Sequence, residues 1–103
     1  MNNWLSSNAL DVCVLSLLEQ EDTYGYVVTQ KLKEKLDVSE STLYPVLRRL
    51  EKNGYLGTYD KSFQGRNRRY YTITKTGITE LKTMREAWGS YKKQMDAILG
   101  GKK

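Results

Sequence analysis

A chain of 103 residues, 39% hydrophobic and 28% charged, is sized for one modest core and carries no bias toward disorder. With no histidine and a single cysteine, Cys13, it lacks the commonest zinc ligands, the commonest general base and any internal disulfide. No Gly-rich phosphate loop or nucleophile–base motif is present, so neither enzymatic chemistry nor a metal or cofactor is expected. Net charge is +5, and its placement is informative. Between Arg48 and Arg69 seven bases stand against two acids, whereas the rest of the chain holds ten of each, a distribution expected of a surface that meets a polyanion. There is no eighteen-residue apolar run and no cationic start followed by an apolar stretch, so the expectation is a cytoplasmic protein without a membrane span.

In chain order, Trp4 to Leu18 reads as a helix apolar on more than one face, with Cys13 as a buried small hydrophobe. Glu19 to Thr23 is a polar break. In Tyr24 to Leu36, Val28, Leu32 and Leu36 recur at four-residue spacing with Val27 alongside, and Gly25 near the start suits a first turn or a close approach. A short break at Asp37 to Ser39 leads into Val38 to Lys52, where Leu43, Val46, Leu47 and Leu50 form one helical stripe. The opposite face bears Ser41, Thr42, Tyr44, Pro45, Arg48, Arg49 and Lys52, with no acid among them. Short hydroxyls and a phenol can meet base edges, and the cations can reach phosphates. Two helices joined by so short a connection have the geometry of a helix-turn-helix, with the second as recognition helix. A cap at Ser41 or Thr42 would place Pro45 among the first N–H groups. An earlier cap at Ser39 or Asp37 would cost one backbone bond and favour a bend.

Asn53-Gly54 is a helix stop. Tyr55 to Tyr59 and Arg68 to Thr74 read as two strands of a hairpin joined by Asp60 to Asn67, rich in turn and basic residues, and its tip, Lys61 to Arg69, is expected to be polar, flexible and cationic. A helix-turn-helix followed by a basic hairpin is a winged helix. Thr74 is a candidate cap for the last helix, with Gly77 just inside it. From there Leu81, Met84, Trp88, Tyr91, Met95 and Ile98 are separated by three, four, three, four and three residues, a heptad seam that calls for a partner helix. The expected fold is therefore mostly α with a two-stranded wing: a winged helix-turn-helix over residues 1–74 and a dimerisation helix over 75–103.

Three motifs in register, Thr23-Tyr24-Gly25-Tyr26, Ser41-Thr42-Leu43-Tyr44-Pro45-Val46-Leu47-Arg48-Arg49-Leu50-Glu51 and Gly65-Arg66-Asn67-Arg68-Arg69-Tyr70-Tyr71-Thr72-Ile73-Thr74, resemble the PadR family of bacterial transcriptional regulators. The single C-terminal helix is similar to that of the short subfamily, which includes a lactococcal multidrug-sensing repressor. The resemblance implies a homodimer that sits on an inverted-repeat operator of double-stranded DNA and represses transcription until a signal releases it. It also implies DNA contacts at Tyr24, Ser41, Thr42, Tyr44, Arg48, Gly65, Arg66, Arg68 and Arg69. In drug-sensing relatives a tryptophan of the last helix stacks planar hydrophobic ligands across the dimer, and Trp88 matches it, with Trp4 and Ala9 as candidate companions. Tyr91 and Lys92 depart from that pattern, one filling pore volume and the other disfavouring cationic ligands. The rival reading is a winged-helix adaptor or anti-repressor that binds protein rather than an operator.

Overall fold

The computed structural model describes residues 7–100. Seven elements follow one another: α1 (Ser7–Gln20), β1 (Thr23–Tyr24), α2 (Gly25–Lys33), α3 (Glu40–Lys52), β2 (Leu56–Phe63), β3 (Arg66–Ile73) and α4 (Lys75–Leu99). Leu10, Val14, Leu15 and Leu18 of α1, Val28 and Leu32 of α2, and all four stripe residues of α3 are buried together with Leu56, Tyr71 and Leu81. The multi-faced apolarity of the first helix is explained by this arrangement, because α1 packs against α2, α3, β3 and α4. Each buried leucine or valine contributes about 1.5–3 kcal/mol relative to exposure, so one unbroken cluster holds the helices and sheet together.

α3 begins with Ser39 as N-cap, its Oγ accepting from the Thr42 N–H at 3.3 Å. This is the earlier of the two capping possibilities, and Pro45 therefore sits in the sixth helical position, where it leaves the Ser41 carbonyl without its usual donor. α3 ends as the Asn53-Gly54 pair suggests. Gly54 adopts φ 85°, the Tyr55 N–H reaches the Leu50 carbonyl at 3.0 Å and the Gly54 N–H reaches that of Glu51 at 3.0 Å, a Schellman motif. The α2–α3 connection is longer than expected. α2 stops at Lys33, and the segment to Ser39 holds Leu36 and Val38 against the core.

The wing differs from the expectation in two respects. Its strands continue through the segment expected to be a flexible tip: β2 runs to Phe63, β3 starts at Arg66, and only Gln64 and Gly65, at φ 53° and 79°, make the turn. Both central residues at positive φ match the type I′ geometry that follows strand twist in a two-residue hairpin. The sheet also gains a third strand. β1 pairs with β3 through Thr23↔Tyr71 and Tyr24↔Tyr70, giving the antiparallel order β1-β3-β2.

Thr74 caps α4, accepting from the Gly77 N–H at 3.0 Å and donating to the Gly54 carbonyl at 2.7 Å, while its own N–H bonds the Tyr55 carbonyl at 3.0 Å. Gly77 is required there, since a Cβ would overlap the Tyr55 carbonyl oxygen. These contacts stitch the end of α3, the entry to β2 and the start of α4 into one joint. α4 then lies along α1, with Arg85 Nη2 3.0 Å from both Ser16 Oγ and Glu19 Oε1. It runs on to Gly100, a left-handed cap that closes a helix of 25 residues.

Candidate nucleic-acid interface

The recognition helix exposes Ser41, Pro45, Arg48 and Lys52 to solvent and Thr42 partly so. Ser39 and Ser41 hydroxyls lie 2.9 Å apart and Ser39 and Thr42 hydroxyls 3.1 Å apart, a cluster of hydroxyls at the helix start. Glu40 does not disturb that face. It turns toward α2, taking Gln30 Nε2 at 3.1 Å and Lys33 Nζ at 3.6 Å, and so ties the two helices of the helix-turn-helix at their junction. Tyr44 is half-buried: its ring lies against Gly25, whose added Cβ would be 3.1 Å from Tyr44 Cε1. One edge of that ring therefore covers the core, and only the remainder is available to a groove.

Arg49 departs from the cationic face on which the sequence placed it. It forms an ion pair with Asp11 of α1, a residue only 7% exposed. Burial raises the Asp11 carboxyl above the usual range, while the charge and hydrogen bond of Arg49 pull the other way. The pair ties α1 to the recognition helix, so Arg49 acts in the fold while Arg48, one position earlier, points out.

The strand register divides the wing cations between two faces. Thr58↔Tyr71, Asp60↔Arg69 and Ser62↔Asn67 share the face continuous with the core, whereas Tyr59↔Tyr70, Lys61↔Arg68 and Phe63↔Arg66 share the other. Arg69 thus lies on the α3 side. Tyr71, on that same face, has its hydroxyl pushed up by burial first and then by Glu51, and both Arg69 and Arg48 act against the shift, so these two cations approach the same spot from strand and helix. Arg66 and Arg68 occupy the opposite face, and Gly65 is at the turn. Tyr24, on β1, reaches that face as well. Its ring is 5.5 Å from that of Tyr70, and the Arg68 guanidinium lies over it. Arg48 and Arg69 thus meet at Tyr71, Tyr24 joins Arg68 on the outer face of the wing, and Ser41 and Thr42 lie at the start of α3 with Tyr44 partly withdrawn.

A model of the transcriptional regulator PadR-like family matches residues 14–83. The chain belongs to that family. Among solved PadR-like structures, a regulator from Bacillus cereus is 32% identical, aligns over 90% of this chain and 93% of its own, and superposes with a TM-score of 0.80. A Streptococcus mutans protein of known structure is 39% identical with a TM-score of 0.88, covering 98% of this chain and 95% of that one. A transcriptional regulator of Mycobacterium tuberculosis is 33% identical over 94 residues, 90% of this chain and 85% of its own. PadR regulators are transcription factors rather than enzymes, and this chain has their winged-helix fold.

The last helix carries the remaining candidate residues. Leu81 is fully buried in the core of its own chain and Met84 is partly buried against that core, so the seam open to another molecule starts later than the heptad pattern indicated. Beyond Arg85 the stripe comes free: Trp88, Tyr91 and Ile98 are 45%, 52% and 76% exposed, and the Trp88 and Tyr91 rings lie 5.7 Å apart. Ala9, one of the companions suggested for Trp88, is half-buried on α1, and Trp4, the other, falls outside the described residues. Among the described residues no helix is long and apolar enough to cross a membrane, and no cluster of His, Cys, Asp or Glu could hold a metal.

Sequence reasoning missed the Asp11–Arg49 pair, the third strand and the placing of Lys61, Phe63 and Tyr70 on one face of the wing. A signal for the last group was present. Tyr59, Lys61 and Phe63, then Arg66, Arg68 and Tyr70, alternate with smaller or polar residues at strand period on both sides of Gln64-Gly65.

Proposed function

We propose that the chain is a cytoplasmic PadR repressor that binds an inverted-repeat operator as a homodimer, residues 1–74 contacting DNA and residues 75–103 joining the two copies. The observation that carries this reading is the approach of one recognition-helix cation and one wing cation to the same tyrosine, Tyr71. Arg48 from α3 and Arg69 from β3 both act on the Tyr71 hydroxyl, the hydroxyls of the α3 start are exposed or half-exposed, and the outer face of the same wing bears Lys61, Arg66 and Arg68, with Asp60 the only acid of the two strands. Ser41, Thr42 and Arg48 suit a major groove, with Tyr44 contributing the free part of its ring, and the wing cations suit the flanking backbone. Two copies would set their recognition helices about 34 Å apart, one turn of DNA.

Footprinting the DNA upstream of the protein's own gene tests the reading directly. A symmetric protected site is expected, with affinity falling about 10³- to 10⁵-fold between 50 and 200 mM salt if the dimer makes six to ten phosphate contacts. Absence of protection at low salt would favour the adaptor reading instead. Release by a planar hydrophobic ligand is a separate part of the proposal, supported by the exposure of Trp88. Quenching of tryptophan fluorescence by planar aromatic compounds, with release of the footprint, is its expected signature. The tight Trp88–Tyr91 pairing speaks for a packing role of Trp88 even where no ligand binds.

A further inference from the structure

On the outer face of the wing, Lys61 and Arg68 stand directly opposite one another, with Arg66 one row nearer the turn and no acidic residue of the sheet on that face. Directly opposed like charges destabilise a strand pair. Each is drawn onto aromatic rings instead. Lys61 Nζ is 5.2 Å from the centre of the Tyr70 ring, while the Arg68 guanidinium carbon is 4.7 Å from that of Tyr24 and 5.6 Å from that of Phe63. Because Arg68 is on the central strand, with Tyr24 on one neighbour and Phe63 on the other, the guanidinium is bracketed from both sides. Its Nε is buried without a hydrogen-bond partner among the described residues, and no carboxylate pairs with it there. Asp22, just ahead of β1, is engaged by the Tyr59 hydroxyl at 2.8 Å.

Ring–cation contacts engage the charge of the guanidinium and none of its N–H groups, so with Nε buried the two terminal Nη groups are left to donate to an acceptor, and the two rings limit where that end can move. Two oxygens of one phosphodiester match such a fork. The geometry points to Arg68 as a pre-set phosphate fork of the wing, with Phe63 as the positioning residue that holds it from the tip side and Tyr24 holding it from the base. This inference rests on the DNA-binding reading and adds a function for Phe63, which is 42% exposed on a cationic strand end. It also recasts Tyr24 as a support for a contact rather than a contact itself.

The experiment measures binding of the footprinted operator by anisotropy across a salt series, for the unaltered protein, Phe63→Leu, Phe63→Tyr, Arg68→Ala and Phe63→Leu with Arg68→Ala. Loss of one ring–cation contact per wing should weaken the dimer's binding about tenfold, roughly threefold per wing. Since Phe63→Leu removes no charge, its salt slope should stay that of the unaltered protein, whereas Arg68→Ala should lower the slope by about 1.8 for two phosphates. Phe63→Tyr should bind normally, and Phe63→Leu should cost nothing further once Arg68 is alanine. Full affinity for Phe63→Leu, or an equal loss in both backgrounds, overturns the inference while leaving the DNA reading in place. No binding by the unaltered protein at any salt overturns both.

Discussion

Arg48 and Arg49 are neighbours in sequence and opposite in role, because successive residues of a helix are about 100° apart and only one of the two can face outward. Arg49 reaches Asp11 across the α1–α3 contact, and the pair is half-sheltered: Asp11 is nearly buried, while the Arg49 side chain keeps 40% of its exposure. Removing the cation alone is therefore worse than removing both charges, since a buried carboxylate is left without a partner. Arg49→Ala should lower stability by about 1.5–3 kcal/mol at pH 7, in the range of a charge-assisted bond. Asp11→Leu combined with Arg49→Met should recover most of it. The pH dependence has a definite sign. Burial already raises the folded Asp11 carboxyl above its unfolded value, and loss of Arg49 removes the two influences that oppose that rise. The folded variant then takes up a proton more readily than the unfolded chain, so its deficit should be largest at neutral pH and shrink as pH falls toward the ordinary Asp range. Urea unfolding of both proteins between pH 7 and pH 4 checks this. A deficit that stayed constant or widened on acidification would mean that Asp11 is not the group left unpaired.

At the scale of elements, the wing shows how a strand can be mistaken for a loop. Lys61, Ser62, Phe63, Arg66, Asn67, Arg68 and Arg69 look like a polar connection when judged by composition. The ladder keeps them extended because Gln64-Gly65 supplies a turn of the right hand and the Phe63↔Arg66 to Leu56↔Ile73 register runs without a bulge. Gly65 has nothing within reach of an added Cβ, so substitution there costs conformation alone. Gly65→Ala should cost the hairpin about 1–2 kcal/mol at its left-handed φ, fray the tip and weaken DNA binding, with little change in the melting temperature of the core. Hydrogen exchange of the Phe63 and Arg66 amides together with operator affinity would show it, and slow exchange at these amides in the variant would refute it. The contrast with Gly77 is instructive, since there the added methyl meets backbone rather than solvent. The stripe of α3, the Thr74 cap and the Asn53-Gly54 stop were legible in sequence because each depends on residues within one or two turns of helix, whereas the cap of α3 stayed open among several hydroxyl and acidic residues and the two-residue turn at Gln64-Gly65 was hidden in a polar stretch. Three further features were not legible: that Arg49 finds Asp11, that Thr23-Tyr24 adds a strand, and that the wing cations split between two faces. Each is decided by partners far along the chain or by a register that composition does not fix. For the same reason Tyr44 could be placed on the exposed side of α3 by periodicity, while the approach of Gly25 that draws its ring inward could not.

For the whole molecule the issue is how the DNA-facing end and the projecting helix are held in fixed relation. The Thr74 cap joins them, bonding Gly54 at the end of α3 and Gly77 at the start of α4, with Tyr55 pressed between. These backbone contacts fix the start of α4 against the end of α3. At 1.5 Å per residue α4 extends about 37 Å, in a molecule that measures 53 × 30 × 21 Å. The part of α4 beyond Arg85 is short enough to be marginal as an isolated helix in water, and the exposed Trp88, Tyr91, Ile98 and Leu99 add a wet apolar stripe that a second copy of the same helix would cover. Trp88→Glu places a charge on that stripe without touching the buried Leu81 or the Arg85 contacts. The unaltered protein should sediment as a dimer at micromolar concentration and the variant as a monomer, with partial loss of helical circular dichroism from the outer half of α4. Affinity for the full inverted repeat should then fall toward that for a half-site, by 10²- to 10⁴-fold, because the second recognition helix no longer arrives at high effective concentration. Affinity for an isolated half-site should be unchanged, which separates lost pairing from a damaged winged helix. A variant that remained dimeric and bound the full site normally would remove the outer half of α4 from the interface.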